Sequence, residues 1–123
     1  MRTTIKTKNI TLTEAISEYL DKRFSTLGKY IQESDDSVIL DIEVGKISNH
    51  HKSGDIFRAE ANLHGRGLSL RAEAEQSDLY AAIDIVKDEM VEALRSKRSK
   101  KIDAIRRGGA KIKAFLKGLT NRQ

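Results

Sequence analysis

Apolar residues along this chain repeat at two different periods, and the switches between them predict its elements. Ile5, set among Thr3, Thr4 and Thr7, predicts a short strand rich in β-branched residues. Thr11-Leu12-Thr13-Glu14 has the spacing of a capping box. Ile16, Leu20, Phe24 and Leu27 then recur at helical spacing, with Gly28 as the stop. From there the period falls to two. Val38, Leu40, Ile42 and Val44 share one face of a strand opposite Asp41 and Glu43. Phe57, Ala59, Ala61 and Leu63 alternate with Arg58, Glu60, Asn62 and His64, and Leu68, Leu70, Ala72 and Ala74 alternate with Ser69, Arg71 and Glu73. These are three half-buried strands. Gly65-Arg66-Gly67 joins the last two as a tight hairpin whose glycines supply positive φ, whereas the polar stretch from Lys46 to Asp55 is a longer loop.

Ser77 is the expected N-cap of a second helix, in which Leu79, Ile83, Val86, Met90 and Leu94 fall at i, i+4, i+7, i+11 and i+15. Its stripe is expected on the sheet beside the first helix. Beyond Leu94, Arg95-Ser96-Lys97-Arg98-Ser99-Lys100-Lys101 has nothing apolar to bury. Gly108-Gly109 is expected to break the helix, and Ala110 to Leu119 to restart it with Ile112, Phe115, Leu116 and Leu119 on one face. The order is strand, helix, three strands, helix, basic tail.

Charge changes this picture from a generic small domain to a suspected binder. From Arg95 onward eleven Lys and Arg residues face the single acid Asp103, so the overall charge of +5 conceals an acidic body and a strongly cationic end. Such concentration is the footprint of a protein that meets a polyanion, nucleic acid first. At 123 residues the chain holds one core plus a tail. With no cysteine it has neither disulfides nor thiolate metal sites, as expected for the cytoplasm. Met1-Arg2-Thr3-Thr4-Ile5-Lys6 lacks an apolar signal core, and no stretch approaches the ~18 apolar residues of a membrane span, so no membrane is expected.

Enzyme chemistry finds little support. His50-His51 lacks further ligands at metal-site spacing, Asp35-Asp36 suits a turn, no serine sits in a nucleophile elbow, and Gly65-Arg66-Gly67 does not open a helix. No catalytic residue, cofactor, metal or small-molecule substrate is expected. On the outward sheet face Arg58, Glu60, Asn62, His64, Arg71 and Glu73 include no aromatic on which a base could stack. That face is expected to be solvated and laced by cross-strand ion pairs, with Arg66 and Arg71 as phosphate contacts. Cations for phosphate are better placed on the helices. Lys87, Arg95 and Arg98 lie at i, i+8 and i+11, Lys22, Arg23 and Lys29 form a second row, and Lys97, Lys100 and Lys101 extend the first. The competing reading is an ordinary lysine-rich exposed face, which the acid-free run from Arg95 to Lys101 weakens. The Tyr80 ring is expected to pack at the helix start rather than stack on RNA.

Two separated motifs carry a family resemblance. Lys8-Asn9-Ile10, Leu12-Thr13-Glu14-Ala15-Ile16, Glu18-Tyr19-Leu20-Asp21-Lys22-Arg23-Phe24 and Leu27-Gly28-Lys29-Tyr30 resemble the opening of the ribosome hibernation-promoting factor and ribosome-associated inhibitor A family. Ser77-Asp78-Leu79-Tyr80-Ala81-Ala82-Ile83-Asp84 resembles the start of that family's second helix, and the likeness covers about residues 1–101. It implies an α+β fold, β-α-β-β-β-α, with two helices on one face of a four-stranded sheet as in double-stranded-RNA-binding domains, followed by a basic extension at 102–123. The resemblance further implies docking in the decoding cleft of the small ribosomal subunit, exclusion of tRNA and mRNA, and inhibition of translation without chemistry. It assigns ribosomal-RNA contact to Lys22, Arg23, Lys87, Arg95 and Arg98. The expected protein is a short-form member, monomeric off the ribosome, in whose family long forms append a second domain that pairs ribosomes. Its tail, dense in Lys and Arg, lies outside the resemblance. The alternatives are a general double-stranded-RNA-binding module, or a membrane-surface or partner-binding protein acting through the terminal amphipathic helix.

Overall fold

The computed structural model describes residues 1–32, 34–47 and 54–121, with the backbone alone for 101–103 and 107–121. The elements are β1 (Arg2–Lys8), α1 (Glu14–Phe24), a 3-10 turn (Ser25–Lys29), β2 (Ile39–Ile47), β3 (Ile56–Gly65), β4 (Leu68–Gln76) and α2 (Leu79–Asn121). The strands form one sheet in the order β1-β2-β3-β4. β1 and β2 pair in parallel, and α1 supplies the crossover that parallel neighbours require. The other pairs are antiparallel.

Period-two patterning survives into the packing. Leu40, Ile42 and Val44 of β2, Ala59, Ala61 and Leu63 of β3, and Ala72 of β4 are buried, and the register aligns Ile42 with Ala61 and Ala61 with Ala72. Leu20 and Phe24 of α1 and Leu79, Ala82, Ile83, Val86 and Met90 of α2 complete the core, together with Leu27, Ile31 and Val38. Both helices therefore cover one face, and no polar or charged residue among those described is buried. By compactness the chain divides into Met1–Ala93, which holds the sheet, and Leu94–Gln123, which contains the remainder of α2 up to Asn121.

Element ends depart from the sequence pattern for local reasons. Thr13, not Thr11, caps α1, its hydroxyl accepting the Ile16 N–H at 3.2 Å. At the other end the Ser25 and Thr26 hydroxyls donate to the Lys22 and Arg23 carbonyls, so α1 closes at Phe24, and Gly28 sits inside the 3-10 turn rather than stopping a helix. α2 starts at Leu79 after Asp78, whose carboxylate accepts the Tyr80 N–H at 3.3 Å, which replaces Ser77 as the cap. The break expected at Gly108-Gly109 does not occur, because α2 runs unbroken to Asn121. Glycine weakens a helix by about 1 kcal/mol relative to alanine but keeps its N–H, and the chain contains no proline to remove one.

At the β3–β4 hairpin, Arg66 and Gly67 both have positive φ, 50° and 76°, the geometry of a two-residue type I′ turn. Gly65 beside them, at φ 120°, packs so closely that a Cβ there would lie 2.1 Å from the Ser37 carbonyl oxygen.

Candidate nucleic-acid interface

Lys22 and Arg23 stand on the last turn of α1 because Leu20 and Phe24 of that turn face the sheet. Tyr19 and Arg23, four residues apart, share the side of α1 that meets Tyr80 and Asp84, likewise four apart on α2. The Tyr19 hydroxyl donates to Asp84 Oδ1 at 2.7 Å. Arg23 Nε lies 3.2 Å from the same oxygen but makes no aligned hydrogen bond, so charge attraction holds it there. The guanidinium carbon sits over the Tyr19 ring, 5.0 Å from its centroid. Tyr80 meets that ring at 4.8 Å with the planes at 89°. The Asp84 hydrogen bond, with a smaller effect of burial, raises the Tyr19 phenol above its ordinary pKa, and Tyr19 and Asp84 together raise that of Arg23.

Lys22 on α1 and Lys29 in the 3-10 turn are exposed. Lys87, three residues past Asp84, pairs with its neighbour Asp88 and keeps only 18% of its side chain exposed. These four candidate cations thus lie on helical elements within Met1–Ala93.

Arg66 and Arg71 belong elsewhere. Arg66, at the hairpin tip, is latched to Asp35 at 2.5 Å and to Ser37 Oγ at 3.3 Å. Asp35 in turn accepts the Ser37 hydroxyl at 2.5 Å and the Ser37 N–H at 3.1 Å. Arg71 lies on the outer sheet face in a ring of four charges. It reaches Glu60 at 3.0 Å and Glu73 at 3.1 Å, and Arg58 reaches Glu60 at 2.9 Å and Glu73 as well. Asn62 donates to Glu60 at 3.0 Å, the main cause that holds the Glu60 carboxyl below its ordinary range, with Arg58 adding to it. Two cations and two carboxylates leave this ring neutral, the ion-paired face that the alternation predicts. A phosphate approaching Arg71 or Arg66 competes with carboxylates already in place.

Within Leu94–Gln123, the side chains of Arg95, Lys97, Arg98 and Lys100 are exposed on α2, and Lys101 continues the helix. No acid interrupts the run from Arg95 to Lys101. His50-His51 falls outside the described residues. Among the described residues no group of three or more His, Cys, Asp or Glu could hold a metal ion, and no helix is long and apolar enough to cross a membrane. The sequence pattern alone does not single out Asp84, Tyr19 or Asp35. The paired i, i+4 spacing of Tyr19 with Arg23 and of Tyr80 with Asp84 was the available signal.

Comparison with known proteins places this geometry in a family. A ribosome hibernation promotion factor of Picosynechococcus sp. is 29% identical over 100 residues, which cover 81% of this chain and 50% of that protein. The chain thus spans about half the length of that relative. The ribosome hibernation promoting factor of Escherichia coli K12 is 28% identical over 100 residues, covering 81% of this chain and 96% of that one. Among solved structures, the Protein Y N-terminal domain of Thermus thermophilus superposes with a TM-score of 0.64 at 26% identity, over 78% of this chain and 98% of that domain. The family model described as sigma 54 modulation protein / S30EA ribosomal protein matches residues 3–102, most of the chain, and the chain belongs to that family.

Proposed function

We propose that this chain is a ribosome hibernation factor, a non-enzymatic binder that occupies the decoding cleft of the small ribosomal subunit and blocks translation by excluding tRNA and mRNA. The observation that carries this reading is the acid-free cationic run from Arg95 to Lys101 on an unbroken helix, in a chain whose family includes proteins named for ribosome hibernation. Phosphate neutralisation asks only for cations in a row, and this row needs no further chemistry. Lys22, Arg23, Lys29 and Lys87 on the helical side of residues 1–101 join it as contacts to ribosomal RNA. Arg66 and Arg71, like Arg23 and Lys87, contribute less than the unbroken run, since each first has to leave a carboxylate. The protein acts in the cytoplasm, as a monomer off the ribosome, and the extension at 102–123 adds charge to the interaction.

Gradient co-sedimentation with purified small subunits, with and without pre-bound initiator tRNA, tests the proposal. The expected result is salt-sensitive association that tRNA weakens, together with inhibition of initiation in a translating extract. Simultaneous occupancy without mutual weakening overturns the exclusion mechanism. Equal affinity for any duplex RNA points to a general duplex-binding module instead.

A further inference from the structure

Leu12, Tyr80 and Ile105 are the large apolar side chains exposed among the described residues, and Tyr80 alone of these has a π face. Its backbone N–H is bonded to Asp78, and its neighbours Leu79, Ala82 and Ile83 make the core contacts of this turn, so the fold does not need its ring inside. An edge-to-face pair, whichever ring supplies the edge, leaves at least one flat face of Tyr80 uncovered by Tyr19. That ring and the Arg23 guanidinium lie 4.8 and 5.0 Å from the same Tyr19 centroid, so a partly exposed aromatic ring and a cation share one support. Asp84 fixes that support by accepting from Tyr19 and attracting Arg23, which reduces the ordering cost of binding. A flat, exposed ring on a fixed support suits an unpaired base, which stacks on it. Paired bases in an A-form helix are not open to such stacking.

We infer that Tyr80 stacks on an unpaired base of the bound RNA. The inference rests on the reading of this chain as a binder of small-subunit RNA, and it reverses the sequence-based expectation for this ring. Tyr80 would then position the protein at a particular single-stranded nucleotide, a selectivity that the cations alone do not supply.

Full-length Tyr80→Ala, Tyr80→Leu and Tyr80→Phe proteins, titrated against purified small ribosomal subunits over a salt series, test this assignment. Tyr80→Ala is expected to weaken binding about 5- to 150-fold, and Tyr80→Phe to remain within about twofold of wild type. Tyr80→Leu, which keeps apolar bulk without a π face, should stay close to Tyr80→Ala. The slope of log affinity against log salt should be the same for all, since every cation is retained. Wild-type affinity in Tyr80→Ala, or its restoration by Tyr80→Leu, overturns the stacking role while leaving the RNA reading intact. If the wild-type protein binds subunits at no salt concentration, the RNA reading fails and the stacking role goes with it.

Discussion

At residue 65 one added carbon meets two obstacles: a Cβ would sit 2.1 Å from the Ser37 carbonyl oxygen, and the φ of 120° already disfavours an L side chain. Gly65→Ala is therefore expected to cost about 2–4 kcal/mol in denaturant melts, since either the hairpin or the chain before β2 has to shift. Gly28→Ala is the control. Its Cβ would meet nothing within 4 Å, so it should be neutral or stabilise by up to about 1 kcal/mol. Acid sensitivity also belongs to single residues. The Ser37 hydroxyl, followed by its N–H and Arg66, holds the Asp35 carboxyl below the usual range, and Thr4 and His64 do the same for Asp41. A depressed folded pKa means stability present above the unfolded value of about 3.9 and lost as pH falls through the folded one. The melting temperature should hold from pH 7 to about 5 and then fall, and Asp41→Asn should lessen that fall. Gly67 was legible in the sequence because a two-residue hairpin demands positive φ locally, whereas Arg66 takes the other turn position and Gly65 answers to its close approach to Ser37. Asp35 was not, since only the folded sheet brings it beneath Arg66.

Elements were legible where a period was sustained and obscure where a few polar atoms decide an end. The alternation of β2 and β3 and the 3.6-residue stripe of α2 emerge as the buried core, because both report burial directly. The cap moved from Thr11 to Thr13, and α1 stopped before Leu27, because competing hydroxyls lie within two residues of each site. Gly108-Gly109 misled through composition, because low propensity weakens a helix without ending it. The candidate site follows the same division. Cationic runs are visible as spacing, whereas Asp84, Asp35 and Glu60, which pair with Arg23, Arg66 and Arg71, come from other elements. Reversing Arg95, Lys97, Arg98, Lys100 and Lys101 to Glu should abolish ribosome binding, while stability stays within about 1 kcal/mol because exposed positions contribute little to folding. Co-sedimentation and a thermal melt on the same sample check both halves. Binding that survives the reversal would sink the electrostatic reading.

For the molecule as a whole, the uneven charge assigns different work to its two ends. Residues 1–94 are acidic on balance and hold every core position identified among the described residues, whereas the segment from Arg95 onward carries eleven cations and one acid. Stability and affinity should therefore respond separately to changes at the C-terminal end. Deleting residues 110–123 removes Lys111, Lys113, Lys117 and Arg122. If these cations reach ribosomal phosphates, affinity falls and the salt slope becomes shallower by about 0.7 to 0.9 for each phosphate no longer neutralised. The melting temperature should not move, because every core position identified among the described residues lies upstream of the deletion. A lower melting temperature with undiminished affinity would instead make the segment part of the folded body. Weaker binding at an unchanged salt slope would assign the segment's contribution to the apolar residues Ile112, Phe115, Leu116 and Leu119 rather than to its charge, since burial of apolar area releases no counterions.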